Sequence, residues 1–357
     1  MTTENYQAQL DELLTAGVQK NASDIHLSPG YYPTVRIDSV LVPLSDKKLL
    51  TQQDVEGMAF TLLGKERREA FIETKEADFG YQMGQTMRFR VNVYETKGNY
   101  AVVLRYIIDE IRTLEDLHLP EQLKIFSKLS QGFVLVAGPT GHGKSTTLAA
   151  LIQAINLERT EKILTIEDPI EYIFTPERSI IDQREVGTDT LSFAGALRSM
   201  FRENVNVVMV GELRDYDTIS AAVTAAETGH LVFGSIHTND AAQTIERIID
   251  IFPSNQQRQI IGQLANSLSG VISQRLIPAL RGGLVPAVEL MVANTAVRNI
   301  IRENKIEQLN MAIGTGASSG MISLNQSLAG LVRNKFISLE QAQFYSPNLS
   351  ELQTLLK

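Results

Sequence analysis

Gly138-Pro139-Thr140-Gly141-His142-Gly143-Lys144-Ser145-Thr146 carries the spacing glycine, four residues, glycine, lysine, serine, and this stretch decides the fold. Upstream, Gly132-Phe133-Val134-Leu135-Val136-Ala137 is an unbroken apolar run that reads as a buried strand. Downstream, residues 144–156 are rich in Ala, Leu and Ile at helical spacing. A glycine-rich turn between strand and helix lets successive backbone N–H groups point at phosphate oxygens, and the helix N-terminus adds about half a positive charge. In that setting Lys144 is expected to reach the β- and γ-phosphates of a nucleotide and Ser145 to ligate Mg²⁺, with the rest of the nine-residue loop around them. A turn that merely joined strand to helix would leave Lys-Ser-Thr unexplained.

A length of 357 residues implies two domains, since single cores rarely grow past about 250 to 300 residues. The absence of cysteine removes disulfides and thiolate metal modules, and suits a reducing compartment. Neither the start, MTTENYQAQL, nor any later run has the pattern of a signal peptide or a membrane span, so the chain is expected to be soluble and cytoplasmic. A net charge of -8 argues against wide non-specific binding to nucleic acid, although a local basic face stays open.

Residues 4–19 place Tyr6, Leu10, Leu13, Leu14 and Val18 at three- and four-residue steps, which predicts an amphipathic helix. Alternating segments at 34–42, 78–83, 87–94 and 100–107, with a helical stretch at 52–72, predict a small α+β domain over residues 1–108. The mixed pattern at 109–120 reads as a linker. Over 121–357, strands expected at 162–166, 179–184, 206–210 and 230–236 alternate with helices at 192–202 and 216–228. That order predicts a mostly parallel sheet covered on both faces, followed by a mainly helical part with a strand pair at 270–276 and 284–291. The glycines from Gly314 to Gly320 imitate a dinucleotide fingerprint, but no convincing strand precedes them, and they read as a loop.

Hydrolysis needs carboxylates near the cradle. Two acidic clusters follow core strands: Ile166-Glu167-Asp168-Pro169-Ile170-Glu171, and Gly211-Glu212 after Asn206-Val207-Val208-Met209-Val210. In an open parallel sheet the carboxyl ends of strands face the ligand crevice, and the second cluster has the layout of a Walker B element with Glu for Asp. Either cluster also fits an N-cap or a solvated turn. His237 stands at the carboxyl end of the run 231–236, where it can hydrogen-bond a γ-phosphate, and the five histidines show no metal-ligand spacing.

With these residues assembled, the chain closely resembles the type IV pilus retraction ATPases, the PilT-like branch of the type II and type IV secretion ATPase superfamily. The resemblance spans nearly the whole chain: Ala22-Ser23-Asp24-Ile25-His26-Leu27, Arg88-Phe89-Arg90-Val91-Asn92, the P-loop, the acidic box 166–171, Gln183-Arg184-Glu185-Val186-Gly187, Gly211-Glu212-Leu213-Arg214-Asp215, the His-box 226–238, and Ala296-Val297-Arg298-Asn299-Ile300-Ile301-Arg302-Glu303. It implies an α/β fold with a RecA-like P-loop NTPase core and a smaller N-terminal PAS-like domain, assembled as a homohexameric ring that hydrolyses ATP with Mg²⁺. It implies nucleotide contacts from Gly138, Pro139, Thr140, Gly141, His142, Gly143, Lys144, Ser145 and Thr146, and metal contacts from Ser145 and Glu212. Glu171 matches the general base or water positioner, Glu212 the Walker B acid, His237 the His-box, and Arg90 and Arg105 the N-terminal arginines that approach the nucleotide. Strand arginines on a solvated face would give the same two arginines.

The implied partners are further copies of the chain, an inner-membrane pilus platform protein and a paralogous retraction ATPase, with no nucleic acid, at the cytoplasmic side of the inner membrane. Several positions depart from the family pattern. His142 stands where Ser is usual and is expected to be tolerated, with its imidazole reaching solvent or phosphate; Asp38-Ser39 replaces an Asp-Gly turn; Asn239-Asp240 adds charge after the His-box. The stretch 296–303 also reads simply as an amphipathic helix, with Val297, Ile300 and Ile301 inward and Arg298 and Arg302 on the outer face. The rival readings are an extension or secretion motor of the same superfamily, a RecA-like nucleic-acid translocase, which predicts a basic aromatic channel, and a nucleotide-binding scaffold that hydrolyses little.

Overall fold

The apolar steps of the first helix do what their spacing dictates: in a computed structural model describing residues 3–37, 40–84, 87–107 and 111–357, α1 (Thr3–Gln19) buries Leu10, Leu13 and Leu14. The turn at Asp38-Ser39 and the first linker residues, Asp109 and Glu110, lie outside the described residues. The chain divides into two compact units, Met1–Glu110 with Pro169–Ile173, and Ile111–Asp168 with Phe174–Lys357.

In the first unit α1 is followed by β1 (Asp24–Leu27), β2 (Thr34–Ile37), β3 (Val40–Pro43), α2 (Gln52–Thr74), β4 (Glu76–Met83), β5 (Met87–Thr96) and β6 (Asn99–Ile107). The strands form one antiparallel sheet in the order β3-β2-β1-β6-β5-β4. β5 shows the two-residue period plainly: Phe89, Val91 and Val93 are fully buried while Arg88, Arg90 and Asn92 alternate with them. A capping box between Thr51 and Asp54 starts α2. The expected single helix is two, because Gly64, at φ 64° and ψ -167°, breaks it with a backbone conformation that other residues adopt only under strain. β1 has no counterpart in the expected strands: four residues are too few to show a period, and pairing with β2 and β6 makes the strand.

The second unit runs α3 (Lys124–Ser127), β7 (Gly132–Ala137), α4 (Lys144–Glu158), β8 (Lys162–Glu167), β9 (Ile180–Glu185), α5 (Phe193–Met200), β10 (Val207–Val210), α6 (Tyr216–Glu227), β11 (Leu231–Ile236), α7 (Ala241–Ile251), α8 (Ser254–Ser267), β12 (Leu268–Pro278), β13 (Leu284–Val292) and α9 (Thr295–Arg302). Four short helices close it: α10 (Leu309–Thr315), α11 (Leu324–Arg333), α12 (Leu339–Tyr345) and α13 (Leu349–Leu356). Its sheet has the order β13-β12-β7-β11-β10-β8-β9, parallel throughout except for the antiparallel β12–β13 pair. Every residue of β7, β10 and β11 is buried, as strands covered on both faces require. The stretch from Gly314 to Gly320 is the end of α10 followed by a 3₁₀ turn at Ala317–Ser319, more regular than the expected loop. Among the described residues no helix is long and apolar enough to cross a membrane.

Candidate functional site

The carboxyl ends of β7, β11 and β10, adjacent in the sheet, deliver the P-loop, His237 and Glu212 to one place. Two glycines in the loop are fixed by close approach as well as by positive φ: a Cβ on Gly138 would lie 2.5 Å from the Gln274 carbonyl oxygen, and one on Gly143 would lie 2.9 Å from the Gln274 side-chain nitrogen. Lys144, the first residue of α4 and 7 % exposed, donates from Nζ to the carbonyls of Gly138 at 2.9 Å and Pro139 at 3.0 Å. Ser145 and Thr146 follow in the first turn of α4.

His237 links the loop to the acid. Its Nδ1 lies 3.3 Å from both Lys144 Nζ and Thr140 Oγ1, and its Nε2 lies 3.1 Å from Glu212 Oε1. An ammonium can only donate, so Nδ1 accepts and the ring proton sits on Nε2, where it is donated to Glu212. Glu212 also takes a two-pronged contact from Arg214, at 2.6 Å from Nε and 2.7 Å from the terminal nitrogen. Burial pushes the Glu212 carboxyl up, but Arg214 and His237 more than offset this and hold it below the ordinary glutamate range. The turn that carries it is pinned on both sides: Gly211 N–H donates to Ile166, Leu213 N–H to Ser235, and the Ser235 hydroxyl to Gly211. Glu167, buried at the end of β8, accepts from the Thr165 hydroxyl at 2.6 Å.

In the first unit, Arg90 and Arg105 are cross-strand neighbours on β5 and β6. Arg90 grips Asp78 at 2.6 Å and approaches Glu171 at 3.7 Å, and Arg105 binds the buried Asp24 at 2.8 Å. Burial raises the Asp24 carboxyl, yet Ser23 and Arg105 bring it to a net value below the usual range. These arginines and Glu171, with Tyr106, Ile107 and Tyr172, line a cavity of about 230 Å³. The sequence-derived residues thus form two groups: Lys144, Thr140, His237 and Glu212 in one unit, Arg90, Arg105 and Glu171 in the other.

Two expectations change. His142 does not turn its Nδ1 to solvent or phosphate; that atom accepts the Leu276 N–H at 2.9 Å. Arg298 is not on an outer face: it is half-buried and donates to the carbonyls of Ala265, Asn266 and Ala293, because the C-terminus of α8 offers acceptors that its own helix leaves unused. Asp240, added charge in the sequence, is the N-cap of α7. Sequence reasoning passed over Gln274, which bonds both His142 O and the Thr147 hydroxyl. Its signal was the polar run Ser273-Gln274-Arg275 between the apolar pairs Val271-Ile272 and Leu276-Ile277.

A glycine-rich loop after a central parallel strand, its lysine, and an acid at the end of a neighbouring strand define a RecA-like P-loop nucleoside triphosphatase core. The chain belongs to the Type II/IV secretion system protein family, whose model matches residues 3–336. It is 43% identical over 334 residues to the type IV pilus retraction ATPase PilT of Pseudomonas aeruginosa, covering 94% of this chain and 97% of that protein. It is 45% identical over 300 residues to a twitching motility protein of Neisseria gonorrhoeae, covering 84% and 80%. The crystal structure of the pilus retraction motor PilT with bound ADP superposes with a TM-score of 0.89 at 44% identity, covering 96% of this chain and 98% of that one.

Proposed function

We propose that this chain is the ATPase that powers type IV pilus retraction, working as a homohexameric ring at the cytoplasmic face of the inner membrane on a pilus platform protein. The observation that carries the reading is end-to-end similarity to a retraction ATPase, at 43% identity over 94% of the chain, with the Lys144–His237–Glu212 arrangement in place. The domain scheme proposed is a PAS-like unit to residue 108, a linker at 109–120 and the ATPase unit beyond.

The reaction is attack of water on the γ-phosphorus of ATP with departure of ADP, and its main demand is stabilisation of charge on the phosphoryl oxygens. The N–H groups of Thr140 to Thr146 cradle the phosphates, and Lys144 exchanges the carbonyls of Gly138 and Pro139 for phosphate oxygens. His237 keeps Lys144 and Glu212 in register. Glu171 takes the proton of the attacking water, and Arg90 and Arg105 supply positive charge from the N-terminal unit.

The Ser145 hydroxyl and Glu212 carboxylate are hard oxygen donors of the kind Mg²⁺ takes, and no cluster of three or more acidic or histidine ligands occurs among the described residues. That donor set fits an ion completed by phosphate and water oxygens. When bound, Mg²⁺ neutralises charge on the β- and γ-phosphates. Phosphate release from ATP by the purified protein, with Lys144→Ala and Glu212→Ala checked for folding by circular dichroism, tests the assignment. Both folded variants should lose turnover; normal turnover in either removes the site.

A further inference from the structure

β7 leaves the sheet after Ala137, which pairs with Ser273 on β12, but β12 continues to Pro278. Beyond Ser273 the edge of β12 that faced β7 has no strand beside it among the described residues, and its backbone groups need other partners. The P-loop supplies one for the Leu276 N–H, and the loop and α4 hold the Gln274 side chain. Leu276 N–H donates to His142 Nδ1 at 2.9 Å, Gln274 Nε2 donates to the His142 carbonyl at 2.9 Å, and the Thr147 hydroxyl donates to Gln274 Oε1 at 2.7 Å. Gln274 and Thr147 are 3% and 0% exposed, so the bond between them is out of water, while His142 and Leu276 are partly buried. The close approach of Gly138 and Gly143 to Gln274 presses the same two segments together.

We propose that His142 is a positioning residue of the phosphate site: its Nδ1 replaces the missing strand as acceptor for Leu276 and locks the loop to β12. The proposal rests on the nucleotide-binding reading of the loop. The chemistry is specific to an acceptor two bonds beyond Cβ. Asparagine places Oδ1 at that distance; serine, whose hydroxyl ends one bond beyond Cβ, and alanine do not. Burial, with the charges of Arg275 and Lys144 added, holds the imidazole below its ordinary pKa and keeps the Nδ1 lone pair free to accept. A loop held in this way presents its N–H groups to phosphate without first having to be ordered, which favours binding more than turnover.

The test compares the native protein with His142→Ala and His142→Asn. Hydrogen exchange of the Leu276 amide reads the brace without nucleotide: exchange should quicken about tenfold or more in His142→Ala and stay near native in His142→Asn. ADP affinity by calorimetry and KM for ATP should worsen about tenfold in the alanine variant with kcat changed less than about threefold, and the asparagine variant should stay within about twofold of native. Rapid Leu276 exchange in the native protein, or alanine and asparagine variants that behave alike, overturns the proposal. A protected Leu276 in a native protein that does not bind ADP sinks the nucleotide reading instead.

Discussion

His237 ties the two charged ends of the site together, and its two nitrogens have different duties. Nδ1 faces the Lys144 ammonium and the Thr140 hydroxyl, while Nε2–H is donated to Glu212. A methyl side chain removes both bonds at once, so His237→Ala should lower kcat by about 10- to 100-fold while changing ADP affinity far less. Steady-state kinetics with calorimetry checks this, and a change confined to KM would contradict it. Glu212→Gln keeps an oxygen for Arg214 but loses the charge; turnover should fall about 100-fold. The P-loop, Glu212 and His237 were legible in the sequence because each stands at the end of an apolar strand, where the sheet's geometry dictates what a side chain meets. The contact of His142 with Leu276 was not, since 134 residues separate the partners and only the folded sheet brings β12 beside the loop.

Elements read well from sequence where burial is complete and poorly where a neighbouring element decides. β7, β10 and β11 are apolar at nearly every position and were visible, whereas the inward turn of Arg298 depends on where α8 ends. Arg298 on α9 satisfies three carbonyls, two of them at the C-terminus of α8, where a cation also suits the helix dipole. Arg298→Ala should therefore cost about 2–3 kcal/mol in urea unfolding; a loss below about 0.5 kcal/mol, the scatter of ordinary surface substitutions, would contradict the capping role.

Glu289 on β13 is a second element-level case: buried to 9% exposure, it accepts the N–H of Ala241 at the start of α7. Burial pushes its carboxyl up to about 7 from 4.5, opposed by that bond and reinforced by Asp240. Because the folded value is above the unfolded one, the folded state binds the proton more tightly, and stability declines as pH rises from about 4.5 through about 7. The full decline is on the order of 3 kcal/mol. Glu289→Gln keeps an acceptor for Ala241 and removes the charge, so it should be more stable than native at pH ~8.5 and nearly equal at pH ~3.5. A gap independent of pH would show that ionisation of Glu289 does not control stability here.

At the scale of the molecule, the proposed site residues are divided between the two units, the P-loop with His237 and Glu212 in one and the arginines with Glu171 in the other. Single-chain sequence patterns report burial within a unit, and so they say little about assembly. If Arg90 and Arg105 act on nucleotide in a ring, Arg90→Ala and Arg105→Ala should each lower turnover at concentrations where the protein is assembled, by about 10-fold or more. Unchanged rates would return them to strand arginines that pair with Asp78, Glu171 and Asp24. The most direct measurement of the central claim is deletion of the gene in its own organism, with complementation by the native chain and by Glu212→Ala, scoring surface pili and their retraction by microscopy. The account predicts that pili accumulate without retracting in the deletion and in the Glu212→Ala strain, and that the native chain restores retraction; loss of surface pili on deletion would contradict it.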